Sequence, residues 1–418
     1  MSNPNRKRNF LIGASFVAVL TALAAGQAVL DKTVAAQTQN AVMAPRFEVD
    51  PMWPKPMPNH WILGQTIGVF VDTDDHVWIV HRSSATLADQ EKGVELKTAE
   101  CCAGAPPILE FDQAGNLLRH WGGPGPGYEW PDGNHGIFID YKGNVWIGGN
   151  GGPDSHILKF TKDGKFLLQV GKKGARRRTG ARAGEGEGAV AGFVGNSNDE
   201  VSFGRVAKIF VDQQANEAYI ADGYLNKRVA VLDADTGKMK RWWGAYGNKP
   251  DDTPLGPYDP TKPPAQQFRN PVHCANMSVD RMLYVCDRAG DRLQVFTPEG
   301  KFLKEGFFSK DTKASGSAWD VAFSRDPQQK YIFLADGMND KVHVVDRQTL
   351  QDLTTFGDGG RQPGQFYGVH SIATDSKGNV YTTETWEGKR LQKFVYKGLA
   401  PVTKPNQGVV WPTTASAK

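Results

Sequence analysis

The sequence predicts an all-β fold, a six-bladed β-propeller of four-stranded antiparallel blades, on three observations. First, six segments share one shape: an alternating apolar strand, a turn rich in Asp, Gly and Asn, and a second strand with an aromatic residue near its start. They read GVFVDTDDHVWIVHR from Gly68, GIFIDYKGNVWIGG from Gly136, KIFVDQQANEAYIADG from Lys208, CANMSVDRMLYVCDR from Cys274, DVAFSRDPQQKYIFLADG from Asp320 and SIATDSKGNVYTTE from Ser371. They recur about every 45 to 70 residues, which is blade spacing. Second, further strand pairs lie between them, such as ILKFTKDGKFLLQVG and RLQVFTPEGKFLKEG, so each repeat supplies four strands. Such a unit cannot bury both faces alone and must stack around an axis. Third, the early segment RFEVDPMW from Arg46 has no hairpin of its own and is predicted to complete the last blade, joining first and last repeats.

Around this core, the 418 residues divide into a signal peptide over 1–36, the propeller over 45–400 and a C-terminal tail over 401–418. Arg6, Lys7 and Arg8 precede an apolar run from Phe10 to Ala25 that is too short for a comfortable membrane span. Cleavage after Val34-Ala35-Ala36 would release a mature chain with no stable membrane span, periplasmic or secreted. Lys7-Arg8-Asn9-Phe10-Leu11 also resembles a twin-arginine signal with Lys in the first place. Residues 172–191 are mostly Gly, Arg, Glu and Ala without periodicity, and are predicted to form a flexible inserted loop. Net charge is only +4, with part of the excess in that loop, which argues against a nucleic-acid surface.

The first strand of a propeller blade lines the channel, so residues at one repeat position converge on the axis. Gap-free alignment of the hairpins places His135, His273 and His370 at one position, each 11 residues before Trp146, Tyr284 or Tyr381. The other repeats carry Ile67 there, and residues near Ala207 and Asp320. The histidines therefore fall on blades two, four and six, a three-fold cage suited to zinc with one open position. An isolated histidine ordinarily just hydrogen-bonds at a strand start; three sharing one register favour the metal. The second strands end at the same face, bringing Arg82, Tyr224 and Arg288 around the cage. A nearby dication and guanidinium favour a phenolate, which makes Tyr224 a candidate general base. The competing expectation is that these arginines pair with blade-end aspartates.

Four cysteines in an exported chain are expected to be oxidised. The alignment makes residues 136 and 148 face each other, and Cys274 and Cys286 hold the equivalent places, so a cross-strand disulfide is expected there. Adjacent Cys101 and Cys102 leave a vicinal bridge, a metal site and free thiols all open.

At these residues the chain resembles the NHL-repeat propellers, and among them the peptidyl-α-hydroxyglycine α-amidating lyases. The resemblance runs through nearly all of the mature chain and is most specific in IVHR at Arg82, NHGIFID at His135, ADGYLNKRV at Tyr224, CDRAGDRLQVF at Arg288 and YGVHSIA at His370. It implies zinc on His135, His273 and His370, Tyr224 as catalytic base beside Arg82, and Arg288 for a substrate carboxylate. It also implies a structural calcium that takes the backbone carbonyls of Val69 and Ile137. There the chain departs from the family: Ser371 replaces the aspartate that supplies calcium's charge. Gly368 replaces a methionine that walls the substrate pocket.

Residues and resemblance together predict an exported zinc-dependent lyase. It would take a small-molecule or peptide substrate in its channel and split C–N of a peptidyl-α-hydroxyglycine, or a similar hemiaminal, into an amide and glyoxylate. The alternative is a non-catalytic NHL propeller for a protein or glycan partner. A calcium-dependent lactonase-like propeller is a third reading, but acidic ligands are scarce at the channel face.

Overall fold

A computed structural model describes residues 41–182 and 190–412, with a few helical residues between 14 and 27. The cleavage site at Val34–Ala36 and residues 183–189 of the inserted loop lie outside the described residues. No helix among the described residues is long and apolar enough to cross a membrane. The chain forms two compact units: Met1–Ala44 with Leu399–Thr403, and Pro45–Gly398 with Lys404–Lys418. The second contains the propeller.

Six four-stranded antiparallel sheets form the blades. Their inner strands are Thr66–Val71, Asn134–Ile139, Val206–Asp212, Val272–Met277, Asp320–Phe323 and Val369–Thr374. Each contacts the next, and the sixth contacts the first, which closes the ring. As expected, the N-terminal strand Met43–Asp50 is the outermost member of the sixth sheet, beside Leu391–Pro401. Closure of this kind ties the ends of the chain into one ring of blades, each of which keeps only a short outer edge.

The physical basis of the repeat is visible in its turns. In blade two, Asp140 Oδ1 accepts from the backbone N–H of Lys142 and of Asn144, and its Oδ2 accepts from the indole of Trp146 at 2.8 Å. Asp72 serves His76 and Trp78 in blade one, and Asp375 serves Asn379 and Tyr381 in blade six, in the same way. One carboxylate thus closes the turn and satisfies the polar end of a fully buried aromatic. Those aromatics belong to apolar clusters shared between neighbouring blades: Trp146 packs with Ile209 and Val211 of the next blade, and Tyr381 with Val69 and Ile79.

The disulfide Cys274–Cys286 is present and joins cross-strand partners. In blade two, however, His135 pairs with Gly148, because Gly136 takes the unpaired place of a β-bulge at φ +67°. Cys101 and Cys102 are bonded to each other. Where the flexible loop is predicted, the described residues at its base make turns and an Arg177–Phe193 bridge.

Candidate metal and acid–base centre

A β-bulge sits at the mouth end of the inner strand in blades one, two, three, four and six. Bulges re-aim side chains, and here His273 and His370 are themselves the unpaired residues. The three predicted histidines meet: ring centroids lie 4.8 to 5.2 Å apart in all three pairs. One ring nitrogen of each lies within 4.8 Å of those of the other two.

Each ring is held the same way. Nδ1 of His135, His273 and His370 donates to the backbone carbonyls of Ala207, Trp319 and Ile67 respectively, each at 2.6 Å and each on the following blade. In the fifth blade the equivalent residue is therefore Trp319, one before Asp320. A carbonyl can only accept, so Nδ1 carries the proton and Nε2 presents a lone pair. All three rings are held well below the usual imidazole range, by burial first and then by nearby cationic and imidazole groups, among them Arg82 and Arg288. They are neutral at physiological pH.

Tyr224 completes the cluster. Its hydroxyl lies 3.0 Å from His135 Nε2 and 3.1 Å from His273 Nε2, and accepts from Arg288 Nη1 at 3.2 Å. One hydroxyl has one proton for two acceptors, so at least one lone pair faces the tyrosine oxygen without a donor from it. A cation held by the three Nε2 atoms satisfies that arrangement, and three neutral imidazoles are the donor set zinc prefers. The residues fit the ion.

Among the described residues the blade-end carboxylates Asp222, Asp287 and Glu384 are taken by Arg228, Arg292 and Arg390, at 2.8, 2.7 and 2.6 Å. Arg288, fully buried, lies over Trp319 with its Cζ 4.3 Å from the ring centroid. Arg82 donates to Gln65 and to Asn150 Oδ1, both at 2.7 Å. A residue missed in the sequence, Arg205, clamps the backbone carbonyl of that same Asn150 through Nε and Nη2. Its guanidinium lies 5.9 Å from the Tyr224 ring, and its own carbonyl accepts from Tyr224 N–H. Arg205 stands in left-handed backbone, φ +68°, just before an inner strand.

Gly368 stands in left-handed backbone, φ +72°. A Cβ there would meet Trp386 at 2.6 Å, and Trp386 packs edge-on against Trp319.

One residue along from the histidine layer, Ser371 Oγ donates to Asp320 Oδ2 at 2.6 Å and the Lys208 ammonium pairs with the same oxygen. Val69 and Ile137 are buried in the flanking strands, and Val69 meets Ser371 through its N–H at 3.3 Å.

Fold and site together define a six-bladed propeller with a tri-histidine cluster in its channel. No protein-family model matches the chain. A streptogramin B lyase structure superposes at a TM-score of 0.50 and 13% identity, over 85% of this chain and 98% of that one. A catalytically inactive virginiamycin B lyase from Staphylococcus aureus, with quinupristin, gives 0.44 and 14% over 88% and 94%. At these identities the likeness is one of fold.

Proposed function

We propose that the protein is an exported, zinc-dependent lyase of the NHL-propeller, amidating-lyase type, acting in the periplasm or outside the cell. The reading rests on one observation: three neutral imidazoles with their Nδ1 protons tied to carbonyls of the following blades, and their Nε2 atoms turned toward one another and Tyr224. The lyase-named structural neighbour supports it only at the level of architecture.

His135, His273 and His370 would hold zinc, which supplies Lewis acidity to a substrate hydroxyl. Tyr224, as the phenolate that the cation and the Arg288 guanidinium on its oxygen would favour, would take the hydroxyl proton and become neutral. In a peptidyl-α-hydroxyglycine, the O–H pair becomes the C=O of glyoxylate while the C–N pair leaves on nitrogen. That nitrogen takes the proton back from Tyr224, giving the amide with no water consumed. Arg288 would bind the substrate carboxylate, with Arg82, held by Gln65 and Asn150, as the second arginine of the site. Trp319 and Trp386 wall the reacting end.

The calcium suggested by the resemblance has less support. In the neighbouring layer the Lys208 ammonium already neutralises Asp320, and Ser371 brings no charge.

Zinc content of the purified protein and glyoxylate release from a hydroxyglycine peptide test the reading. We expect one zinc per chain and turnover, with both lost in His273→Ala and only turnover lost in Tyr224→Phe. Wild-type protein without zinc after reconstitution would overturn the metal site, and zinc without glyoxylate would remove the lyase.

A further inference from the structure

One arginine of the site is held by another. Arg82 Nη2 donates to Asn150 Oδ1, and the backbone carbonyl of that asparagine accepts from both Nε and Nη2 of Arg205. Two N–H groups of one planar guanidinium hold the carbonyl in one orientation, and so fix where the asparagine's side-chain oxygen meets Arg82. The turn behind Asn150 is braced as well: its N–H donates to the Gly133 carbonyl at 2.8 Å, and Asp154 Oδ2 accepts from the N–H groups of Gly133 and Gly151. At its other end Arg205 accepts the Tyr224 N–H on its own carbonyl, at 3.2 Å.

Arg205 is poorly suited to a purely structural place. It is 5% exposed, its Nη1 is buried without a partner, and no carboxylate among the described residues lies within ion-pair distance of it. Asp154 acts on it only from further away, with its oxygens already accepting from backbone N–H groups. A buried cation without an anion is destabilising. Its backbone, at φ +68°, is a conformation that glycine adopts without steric cost and arginine does not. Strain and unpaired charge kept together beside a site point to function. We infer that Arg205 is a positioning residue: through the Asn150 carbonyl it sets the place of Arg82, and with it the site's selectivity for a substrate carboxylate. Arg205 acts through Asn150 and not by touching the ligand. The inference rests on the proposed function only for the carboxylate that Arg82 meets.

N-acetyl-phenylalanyl-glycine and N-acetyl-phenylalanyl-glycinamide lack the hydroxyl and do not react, and they differ only in carrying a carboxylate or its amide. Calorimetry on the zinc-reconstituted wild type is expected to favour the carboxylate about tenfold. Arg205→Gly, which relieves the backbone, should lower that ratio to about threefold or less with amide affinity and zinc content unchanged. A merely structural role would weaken both probes alike. In an Arg82→Met background the ratio should be low already, and Arg205→Gly should change it no further, the mark of an effect passed through Arg82. If circular dichroism shows Arg205→Gly unfolded, Arg205→Lys, which keeps the charge but cannot grip one oxygen with two N–H groups, carries the same expectation. A wild type without preference, a ratio that substitution of Arg205 leaves intact, equal losses for both probes, or a further fall in the Arg82→Met background overturns the inference. Glyoxylate release from N-acetyl-phenylalanyl-hydroxyglycine separates the two claims: a preference that depends on Arg205 without release supports the positioning and removes the lyase, and release with a preference indifferent to Arg205 does the reverse.

Discussion

Two adjacent layers of the channel are built from one ring of inner strands, by different blades, yet reach opposite electrostatic solutions. In the mouth layer, alternate blades contribute three imidazoles that are buried and neutral, with no carboxylate bonded to any of them among the described residues. One residue further along, at Lys208, Asp320 and Ser371, the protein supplies both signs itself: a buried ammonium on a buried carboxylate, with hydrogen bonds from Ser371 Oγ and from the N–H groups of Val321 and Ile372. Burial of polar groups is tolerated only when they are satisfied. The inner layer is satisfied from within, whereas the mouth layer leaves lone pairs that an external cation would satisfy. With such a cation bound, the mouth layer would be a site; the layer that completes itself is a strut.

The largest effect expected from this contrast comes from breaking the strut. Asp320→Asn strands the Lys208 ammonium beside neutral groups, and removal of one partner of a buried pair costs about 3–5 kcal/mol. Chemical unfolding should show that loss. Asp320→Asn combined with Lys208→Met should recover much of it, since no uncompensated charge remains. The surviving fold should still bind zinc, because no histidine hydrogen bond ends on either residue. Zinc lost from the double variant while the fold remains would mean that the layers are one unit and the contrast is false.

Next comes the geometry of the mouth layer. Gly136 sits at φ +67°, and a Cβ there would fall 2.6 Å from the Ala207 carbonyl oxygen, the acceptor that orients His135. Gly136→Ala should therefore turn the ring and lower zinc affinity by about 10- to 100-fold, the scale on which outer partners of metal ligands act. Gly123→Ala is the control. Its backbone is also left-handed, at φ +114°, but nothing lies within 4 Å of the added methyl. Zinc titration against a chromophoric chelator distinguishes them, and equal affinities in the two variants would show that the carbonyl does not position the ring.

Much of this was legible in the sequence because repeats convert register into geometry. The turn aspartate and the aromatic six residues on, Asp140 and Trp146, are one hydrogen-bonded unit, so the pattern that reveals a hairpin also builds it. Histidines at one register position had to meet once the ring closed. Arg205 and Trp386 were not legible, since both stand in left-handed backbone at turns outside the aligned strands, where register says nothing. Lys208 and Asp320 did leave a signal: each is a charged residue at the start of an apolar inner strand, and such charges require partners. Their pairing across the channel, between blades three and five, could not be read from spacing along the chain. The 136–148 pairing was shifted by one because sequence alignment does not register a bulge.

The smallest effect sharpens the contrast with a buried histidine outside the channel layer. His343 in blade five has its own anions, Asp352 Oδ2 at 2.6 Å from Nδ1 and Asp336 Oδ2 at 3.1 Å from Nε2. Burial opposes the charged ring, but the two carboxylates outweigh it and raise its titration above the usual imidazole range. A raised folded-state value stabilises fully below the unfolded value of about 6.5, and that contribution is lost as pH rises through the folded value. His343→Gln should therefore cost on the order of 2 kcal/mol at about pH 6, as expected for hydrogen bonds to charged groups, and less at about pH 9. Urea unfolding at the two pH values reads the gap. A gap that is constant or widens would mean that His343 is neutral like the channel rings, so that carboxylate partners are not what separates the two kinds of histidine.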